Sequence, residues 1–404
     1  MKLIISFAAL FLSVIFVQLG SGALGPLDVL SGAAEGFTTR QIGLLGSAHF
    51  FGFFLGCWGA PRLTGTAGHS RAFAAFAAAG AIGALAHPLW IDPYAWAAMR
   101  VLSGFAVAGA YTVIESWMQA KVTNDSRGRV IGVYRLVDLS ASIGAQALIA
   151  VLPPAAYASY NIVAMLCCLC LVPLAVTTAT PPPSPRAPRL RPVHALRLSP
   201  LGAAGVFAAG VTMPAFRMAG PVYGLEVGLD AAGIALFLSA ALAGGALAQV
   251  PAGWLADRFD RRWVLVGLSA AAIVVCAGMA AFGAASAAAV MAGSFLFGFV
   301  AFPVFSISSA HANDFVTPDG AVELAAGLMF IYGLGAILSP LVATVLIERF
   351  GPGGLFLFIA AAHVLLAGFG LWRMTRRTSP ETRTPYRYLP RTSFVLGRLL
   401  RRRH

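Results

Sequence analysis

Continuous apolar runs of about 20 residues recur from end to end of this chain, and they limit its possible fold more than any other feature. A run of that length spans the hydrocarbon core of a bilayer as a helix. Inside that core no water bonds to bare backbone groups, so only helices and closed barrels can cross it. Barrel strands alternate apolar and polar residues, whereas these runs are continuous. The sequence therefore predicts an all-α integral membrane protein.

The runs predict twelve membrane-spanning helices, six before and six after a polar segment. The first run resembles a cleavable signal peptide in its single lysine and small residues. It is long, however, and its removal would leave an odd number of helices, so we predict an uncleaved first helix. The predicted spans are 3–27, 41–60, 72–91, 96–119, 130–152, 157–178, 200–224, 231–252, 263–283, 287–310, 321–347 and 353–373.

The polar segment is rich in proline and arginine and contains no acidic residue, a composition that favours a linker over a packed core. The two halves on either side are weakly repeated, since Gly104-Phe105 recurs as Gly298-Phe299. Parallel six-helix repeats are the architecture of one large class of transporters. The predicted domains are an N-terminal six-helix bundle (1–178), a cytoplasmic linker (179–199), a C-terminal six-helix bundle (200–373) and a basic cytoplasmic tail (374–404).

The distribution of lysine and arginine predicts the orientation of the helices. With a cytoplasmic N-terminus, cytoplasmic segments hold 23 of the 28 basic residues, and the opposite side holds only Arg40 and Arg349. This bias is the positive-inside pattern and predicts that both termini are cytoplasmic. It also accounts for the net charge of +13 without nucleic acid as a partner. The basic tail is suited to contact anionic membrane lipids.

The most specific motif joins the eighth and ninth predicted spans and runs Gly253-Trp-Leu-Ala-Asp257-Arg258-Phe-Asp260-Arg261-Arg262. Glycine permits a tight turn and close helix approach, and Asp257 can cap a helix or accept hydrogen bonds from arginine. A solvated loop that only sets topology is the alternative. The motif resembles the loop signature G-x-L-a-D-R-x-x-R-R of the major facilitator superfamily.

That resemblance implies a cytoplasmic gate, in which loop charges latch the two halves together and separate when the cytoplasmic side opens. The gate residues are predicted to be Gly253, Asp257, Arg258, Arg261 and Arg262, together with Arg127 and Arg129 of the first half.

Ionisable residues inside the spans carry the second functional signal, because a charge in the membrane is costly and usually functional. Asp28 and Arg100 lie at similar predicted depth near the outer face and are suited to pair, although Arg100 could instead snorkel to that surface. In the fifth span a polar stripe shares one helix face and is predicted to line a cavity. The candidate substrate and proton residues are Asp28, Arg100, Glu115, Arg135, Asp138, Gln146 and Arg217.

Other polar residues in the apolar runs are given no function. His49, His87 and His363 are expected to be packed or hydrogen-bonded rather than proton carriers. The five cysteines are predicted to be small buried hydrophobic residues, not metal ligands or disulfides. Because the sequence has no P-loop, dinucleotide-binding fingerprint or nucleophile motif, we predict no cofactor, no metal site and no enzymatic activity.

Longer stretches resemble a narrower branch of the superfamily, the YcaD-like bacterial permeases. They are Ala110 to Arg129, Gln249 to Arg262, and Ala310 to Phe315 with Tyr332-Gly-Leu-Gly335. The resemblance implies a monomeric, multi-pass transporter of the bacterial cytoplasmic (inner) membrane that moves a small organic solute by alternating access, driven by protons. The charges of both signs suit an anionic or zwitterionic solute, with Arg100, Arg135 and Arg217 as contacts.

Two observations bound this expectation. Drug/proton antiporters of the superfamily usually carry a G-P-x-x-G-G-like motif in the fifth span, and here Ser142-Ile-Gly144-Ala-Gln146 lacks the proline. Drug efflux by antiport is therefore disfavoured. The alternatives are a transporter-like sensor or assembly factor without net transport, for which no large added domain is present, and a lipid flippase.

Overall fold

The computed structural model describes residues 2–122, 127–176, 190–316 and 320–376, and within these ranges the chain forms helices and no strand. Short 3-10 helices follow α3 and α11, at His87–Leu89 and Gly283–Ala285. The α-helices are α1 (Lys2–Ala34), α2 (Thr39–Ala67), α3 (His69–Ala86), α4 (Pro93–Lys121), α5 (Arg127–Ile149), α6 (Tyr157–Leu169), α7 (Leu171–Ala175), α8 (Pro192–Leu198), α9 (Pro200–Glu226), α10 (Ala231–Arg258), α11 (Arg261–Phe282), α12 (Ala287–Ala301), α13 (Pro303–Asn313), α14 (Ala321–Phe350) and α15 (Gly354–Met374).

Eleven helical segments of the described ranges are long and apolar enough to cross a membrane. One of them combines α6 with α7, and another combines α12 with α13. The remaining predicted span corresponds to α5, whose 23 residues suffice for a core of about 30 Å. It is less apolar than the others because it contains Arg135 and Asp138 beside the arginines of its first turn. The multi-pass membrane fold is confirmed, whereas the twelfth span and the cytoplasmic termini remain predictions.

The chain divides into two compact units, α1–α7 and α8–α15, with the division inside the segment 177–189 that lies outside the described residues. The described end of the predicted linker is the short helix α8. It begins with Pro192, which suits the first turn of a helix, and it buries Ala195 against Gly327 of α14. The predicted basic tail lies outside the described residues beyond 376.

A close helix crossing of the same kind occurs in each unit. In the first unit, Gly52 of α2 and Gly104 of α4 each face a backbone carbonyl of the partner helix. Gly244 of α10 and Gly298 of α12 repeat the arrangement in the second unit. A methyl group at any of the four positions would overlap a backbone oxygen, which is the close approach that small residues permit in membrane helices. The repeated Gly-Phe dipeptides of the sequence thus mark the same crossing in both units.

The two units have different cores. The first unit packs aliphatic and aromatic side chains of α1 and α4 around buried polar groups. The core of the second unit contains an aromatic cluster with ring centroids 4.7 to 6.4 Å apart. The aromatic cluster consists of Phe216, Tyr223, Phe237, Phe297 and Phe356.

A proline interrupts the tenth predicted span. Pro303 has no N–H to donate to the preceding turn, so the helix divides into α12 and α13 at this residue. The last backbone hydrogen bond before the break runs from the Phe302 N–H to the Gly298 carbonyl, at 3.2 Å. α13 is almost entirely buried within the second unit.

Candidate functional site

Three ionisable side chains meet inside the first unit, and they are called here the outer cluster. Asp28 belongs to α1, His87 to the turn after α3, and Arg100 to α4. Their side chains are at most 1% exposed. Asp28 Oδ2 lies 3.4 Å from His87 Nε2 and 3.5 Å from Arg100 Nη1. Two nitrogen groups therefore approach the same carboxylate oxygen.

Local sequence places these three side chains. Asp92 caps α4 by accepting hydrogen bonds from the N–H groups of the first turn at 2.8 and 2.9 Å, and Pro93 occupies the first helical position. Arg100 follows about two turns later. Pro88 ends α3 directly after His87. Asp28 lies on the last turns of α1, which continues through Pro26 as membrane helices can.

Aromatic rings enclose the outer cluster. The His87 imidazole stacks on Tyr160, with centroids 5.3 Å apart and planes at 11°. Trp96 packs edge-on against His87 at 5.0 Å, and its indole N–H lies within hydrogen-bonding distance of the His87 and Trp90 carbonyls. Apolar rings lower the local dielectric, which strengthens every interaction among the charges they surround.

Sequence reasoning brought Asp28 and Arg100 together, and the structure confirms that they pair. His87 is packed and hydrogen-bonded as expected, but its contact with Asp28 was not predicted. Nothing in the sequence relates His87 to Asp28, because the two residues are 59 positions apart on different helical segments. The only local signal was a histidine directly before a proline at the end of an apolar run.

A second polar network lies deeper in the first unit and connects α1, α4 and α5. The Tyr111 hydroxyl lies 2.7 Å from Gln18 Oε1 and 2.8 Å from Asp138 Oδ1, so its single hydrogen can be donated to either. The Gln18 amide donates to the Ser142 hydroxyl, which donates in turn to the Asp138 carbonyl at 2.8 Å. The predicted polar stripe of α5 is therefore directed at α1 and α4.

The other α4 and α5 candidates lie near this network. Glu115 is fully buried, and its Oε1 accepts a hydrogen bond of 2.8 Å from the Tyr134 hydroxyl. The Arg135 guanidinium is 5.6 Å from the Tyr134 ring centroid, and Gln146 is buried on the same helix. The first unit thus concentrates five of the seven predicted substrate and proton residues around α4 and α5, with Asp28 beside them on α1.

Arg217 is the candidate from the second unit. It lies on α9, where most side chains are buried against the other helices of the same unit, yet its own side chain is exposed. An exposed guanidinium in the middle of a membrane-spanning helix is costly against lipid. The position therefore favours a polar surrounding for this side chain.

The predicted gate loop forms its shortest ion pair inside the second unit. Arg261 is 1% exposed, and its Nη1 donates to Asp314 Oδ1 at 2.6 Å and to the Ala310 carbonyl at 3.0 Å. A weaker contact of 3.4 Å reaches Asp257. The loop is thereby tied from the start of α11 to the end of α13. Asp314 was missed as a partner, although it belongs to the Ala310–Phe315 stretch that resembles the YcaD-like branch.

The remaining gate residues are closer to the surface. Gly253 is buried, Asp257 is half exposed, and the exposed Arg258 lies 5.4 Å from the ring centroid of Trp254. Arg262 pairs with Asp260 at 2.7 Å. In the first unit Arg129 is exposed, while the side chain of Arg127 lies outside the described residues. A latch between the two halves remains a prediction.

The described residues contain no group of three or more histidine, cysteine or acidic side chains placed to hold a metal ion. All five cysteines are free thiols. Cys170 and Cys276 are buried as predicted, but Cys168 is exposed on α6, where an apolar side chain can face lipid.

Comparison with known proteins settles the family. Residues 202–404 match the profile described as Major Facilitator Superfamily. The chain belongs to the Major Facilitator Superfamily. An uncharacterized MFS-type transporter of Enterobacter sp. (strain 638) is 25% identical to this superfamily member over 354 residues, which are 87% of this chain and 91% of the relative.

The uncharacterized MFS-type transporter YcaD of Escherichia fergusonii is also 25% identical, over 90% of this chain and 94% of that protein. This superfamily member is therefore a transporter of the YcaD-like branch and not an enzyme, as the sequence motifs indicated. The crystal structure of a variant of the nucleoside transporter NupG matches it with a TM-score of 0.78 at 16% identity, over 90% of this chain and 98% of that chain. That likeness confirms the superfamily fold.

Proposed function

We propose that this superfamily member is a secondary active transporter of the bacterial inner membrane, which moves a small anionic or zwitterionic organic solute by alternating access and is driven by protons. The observation that carries the proposal is the outer cluster, a fully buried carboxylate placed 3.4 to 3.5 Å from two nitrogen groups. A charge so placed is costly in a membrane helix and is the usual mark of an ion or proton pathway.

The contact between Asp28 and Arg100 supports the proposed proton coupling. An adjacent cation stabilises a carboxylate, and removal of that cation in an apolar setting favours the protonated acid. A conformational change that lengthens or shortens this contact would therefore take up or release a proton. The polar network around Asp138 and Tyr111 is the proposed continuation of this pathway along α4 and α5.

The proposed solute class rests on the arginines whose side chains are at least partly exposed. Arg100 is buried beside Asp28, so its charge is already offset. Arg217 is exposed and Arg135 is partly buried. A guanidinium presents paired donors that suit a carboxylate or phosphate. We therefore propose Arg217 and Arg135 as the principal solute contacts and Arg100 as a residue of the coupling mechanism.

The cytoplasmic gate is also part of the proposal. Arg261 lies wholly within the second unit and is the proposed anchor of the loop. Asp257 and Arg258 are exposed and are the proposed moving members, together with Arg129 of the first unit. The protein is proposed to act as a monomer.

A ligand screen by thermal stability tests the proposal before the solute is identified. The purified protein is melted in detergent at two pH values with organic anions, amino acids, sugars and cationic drugs. A ligand at 100 times its dissociation constant adds about 2.7 kcal/mol of stability. We expect an anionic or zwitterionic hit whose effect is lost in Arg217→Ala and retained in the control Arg62→Ala, which removes an exposed arginine that has no proposed role.

Transport of that hit into proteoliposomes under an imposed pH gradient then tests coupling. A rate of solute uptake that does not change with the pH gradient would refute proton coupling. If no solute stabilises the protein at either pH, the solute-carrier proposal fails, and the flippase and sensor alternatives are tested next with lipids and protein partners.

A further inference from the structure

We infer that His87 and Asp28 share one proton, so that the pair, rather than the carboxylate alone, is the proton-binding site of the outer cluster. Its role in coupling rests on the proposed transport function, but the shared proton itself does not. The inference comes from the geometry around the imidazole and assigns a function to a histidine that sequence reasoning treated as packing.

The first step is the tautomer of His87. Its Nδ1 lies 2.6 Å from the Gly83 carbonyl oxygen. A carbonyl oxygen only accepts hydrogen bonds, so Nδ1 must carry a hydrogen. The second ring nitrogen, Nε2, then has either a lone pair, in a neutral imidazole, or a second hydrogen, in an imidazolium.

The second step is what Nε2 faces. Asp28 Oδ2 is 3.4 Å away, and both atoms are buried. Without a proton between them, a nitrogen lone pair would face a carboxylate lone pair in a setting with no solvent to screen the repulsion. One proton, on either the nitrogen or the oxygen, makes the contact attractive. The geometry therefore favours the state in which the pair holds that proton.

The third step is the charge balance of the outer cluster. With the shared proton, Asp28, His87 and Arg100 sum to one positive charge, and without it they sum to zero. His87 and Arg100 approach the same carboxylate oxygen, so they compete for it. Binding of the proton strengthens the His87 contact and weakens the hold of Arg100 on Asp28. Proton binding thereby changes the tie between α1 and α4.

The surroundings contain one further titratable group. From α6 the Tyr160 hydroxyl lies within electrostatic reach of Asp28 and Arg100, and its ring stacks on His87. From α4, Trp96 contributes an apolar edge and Arg100 the cation. From α1, Asp28 is the acid.

Direct proton counting on the full-length protein in lipid nanodiscs tests the inference. Protons bound between about pH 9.5 and about pH 4.5 are measured by difference titration, a window that contains the ordinary pKa of a histidine, about 6.5, and lies above that of an aspartate, about 3.9. We compare the wild type with Asp28→Asn, His87→Gln and the double variant. His363→Gln is the matched control, because His363 is also fully buried in a helix and its ring nitrogens lack hydrogen-bond partners in the described chain.

We expect each single variant to bind one proton fewer than the wild type, and the double variant also one fewer. In Asp28→Asn, the neutral amide beside Arg100 would leave His87 neutral. In His87→Gln, Asp28 would stay paired with Arg100 and ionised. The control should match the wild type. His87→Asn, which keeps an amide donor for the Gly83 carbonyl, replaces His87→Gln if the latter does not fold.

Equal proton counts in the wild type and His87→Gln would overturn the inference. So would a double variant that loses two protons, because the groups would then titrate independently, or a control that loses one. Gradient-driven uptake separates this result from the proposed function. If the single variants each lose one proton but the wild type shows no proton-driven transport, the shared-proton site stands and the proposed function fails. If they lose the proton and still couple normally, the site stands and its role in coupling is refuted.

Discussion

The two units of the protein share a helix crossing and differ in what they enclose. Both bring glycines of two helices against facing backbone carbonyls, at Gly52 and Gly104 in one unit and Gly244 and Gly298 in the other. The first unit encloses ionisable side chains in its membrane-spanning core, whereas the core of the second unit contains the aromatic cluster. The second unit places its buried ion pair at the end of α13. The shared helix crossing therefore does not require ionisable side chains in the membrane-spanning core, which is consistent with the functional role proposed for those of the first unit.

The largest loss of stability is expected at the close helix crossing that the two units share. Gly104→Ala and Gly298→Ala each place a methyl group on a backbone oxygen, which cannot move aside as a side chain can. We expect both to lose at least about 3 kcal/mol, the upper part of the usual overpacking range. Thermal unfolding and size-exclusion profiles measure this. Gly132→Ala and Gly267→Ala, where nothing lies within 4 Å of the added methyl group, are the controls. Unequal losses of stability in the two variants would show that the two crossings are not equivalent.

The buried ion pair of the second unit comes next. Arg261→Ala leaves the Asp314 carboxylate buried without the guanidinium that it contacts at 2.6 Å. Breaking such a pair costs about 3–5 kcal/mol. The more exposed pair of Arg262 with Asp260 provides the control, and Arg262→Ala should cost less. Recovery of stability in the double variant Arg261→Ala with Asp314→Ala would show that the loss comes from the stranded charge, and its absence would contradict that explanation.

A matched pair of tyrosines sharpens the comparison. The Tyr134 hydroxyl donates to Glu115 in the first unit, whereas the Tyr223 hydroxyl has no hydrogen-bond partner among the described residues of the second. Tyr134→Phe should lose about 1.5–3 kcal/mol of stability, the usual contribution of a hydrogen bond to a charged group. Tyr223→Phe should change the melting temperature little. Equal losses in the two variants would show that the hydroxyl contact to Glu115 contributes nothing.

The smallest effect is expected at the exposed helix ends. Arg62 lies 4.2 Å from the Trp58 ring centroid on α2, and Arg258 lies 5.4 Å from that of Trp254 on α10. Exposed cation–π pairs contribute about 0.5–1 kcal/mol. Arg62→Ala and Arg258→Ala should therefore lower stability by less than about 1 kcal/mol each. A larger loss for Arg258→Ala alone would indicate a further structural contact of the gate loop.

The sequence contained the signals that are local along the chain. Apolar runs of helix-spanning length predicted the membrane helices, and the repeated Gly-Phe dipeptides marked the close crossings, because each depends on neighbouring residues. The depth of a charge can also be counted along a helix, which is why Asp28 and Arg100 were expected to pair. α5 shows the limit of this method, since its charged residues lower the hydropathy by which a span is recognised.

Contacts between distant segments could not be predicted. The contacts of His87 with Asp28 and Tyr160 depend on the 3-10 turn that follows α3. The ion pair of Asp314 depends on the packing of the end of α13 beside Arg261. The polar stripe of α5 was placed on one face correctly, but the direction of that face depends on Gln18 and Tyr111 of other helices. The spacing of polar residues shows which side chains share a helix face, but it does not show which other helix that face contacts.

The break at Pro303 has a mechanical consequence for the second unit. On one side of the break, α12 is locked to α10 by the close crossing at Gly298. On the other side, α13 has 11 residues and so a length of about 16 Å, and its far end holds Arg261. A bend of about 10° at Pro303 would displace the far end of α13 by roughly 3 Å relative to α12. A tilt too small to disturb the core can therefore shift the loop between α10 and α11 by about the length of a hydrogen bond.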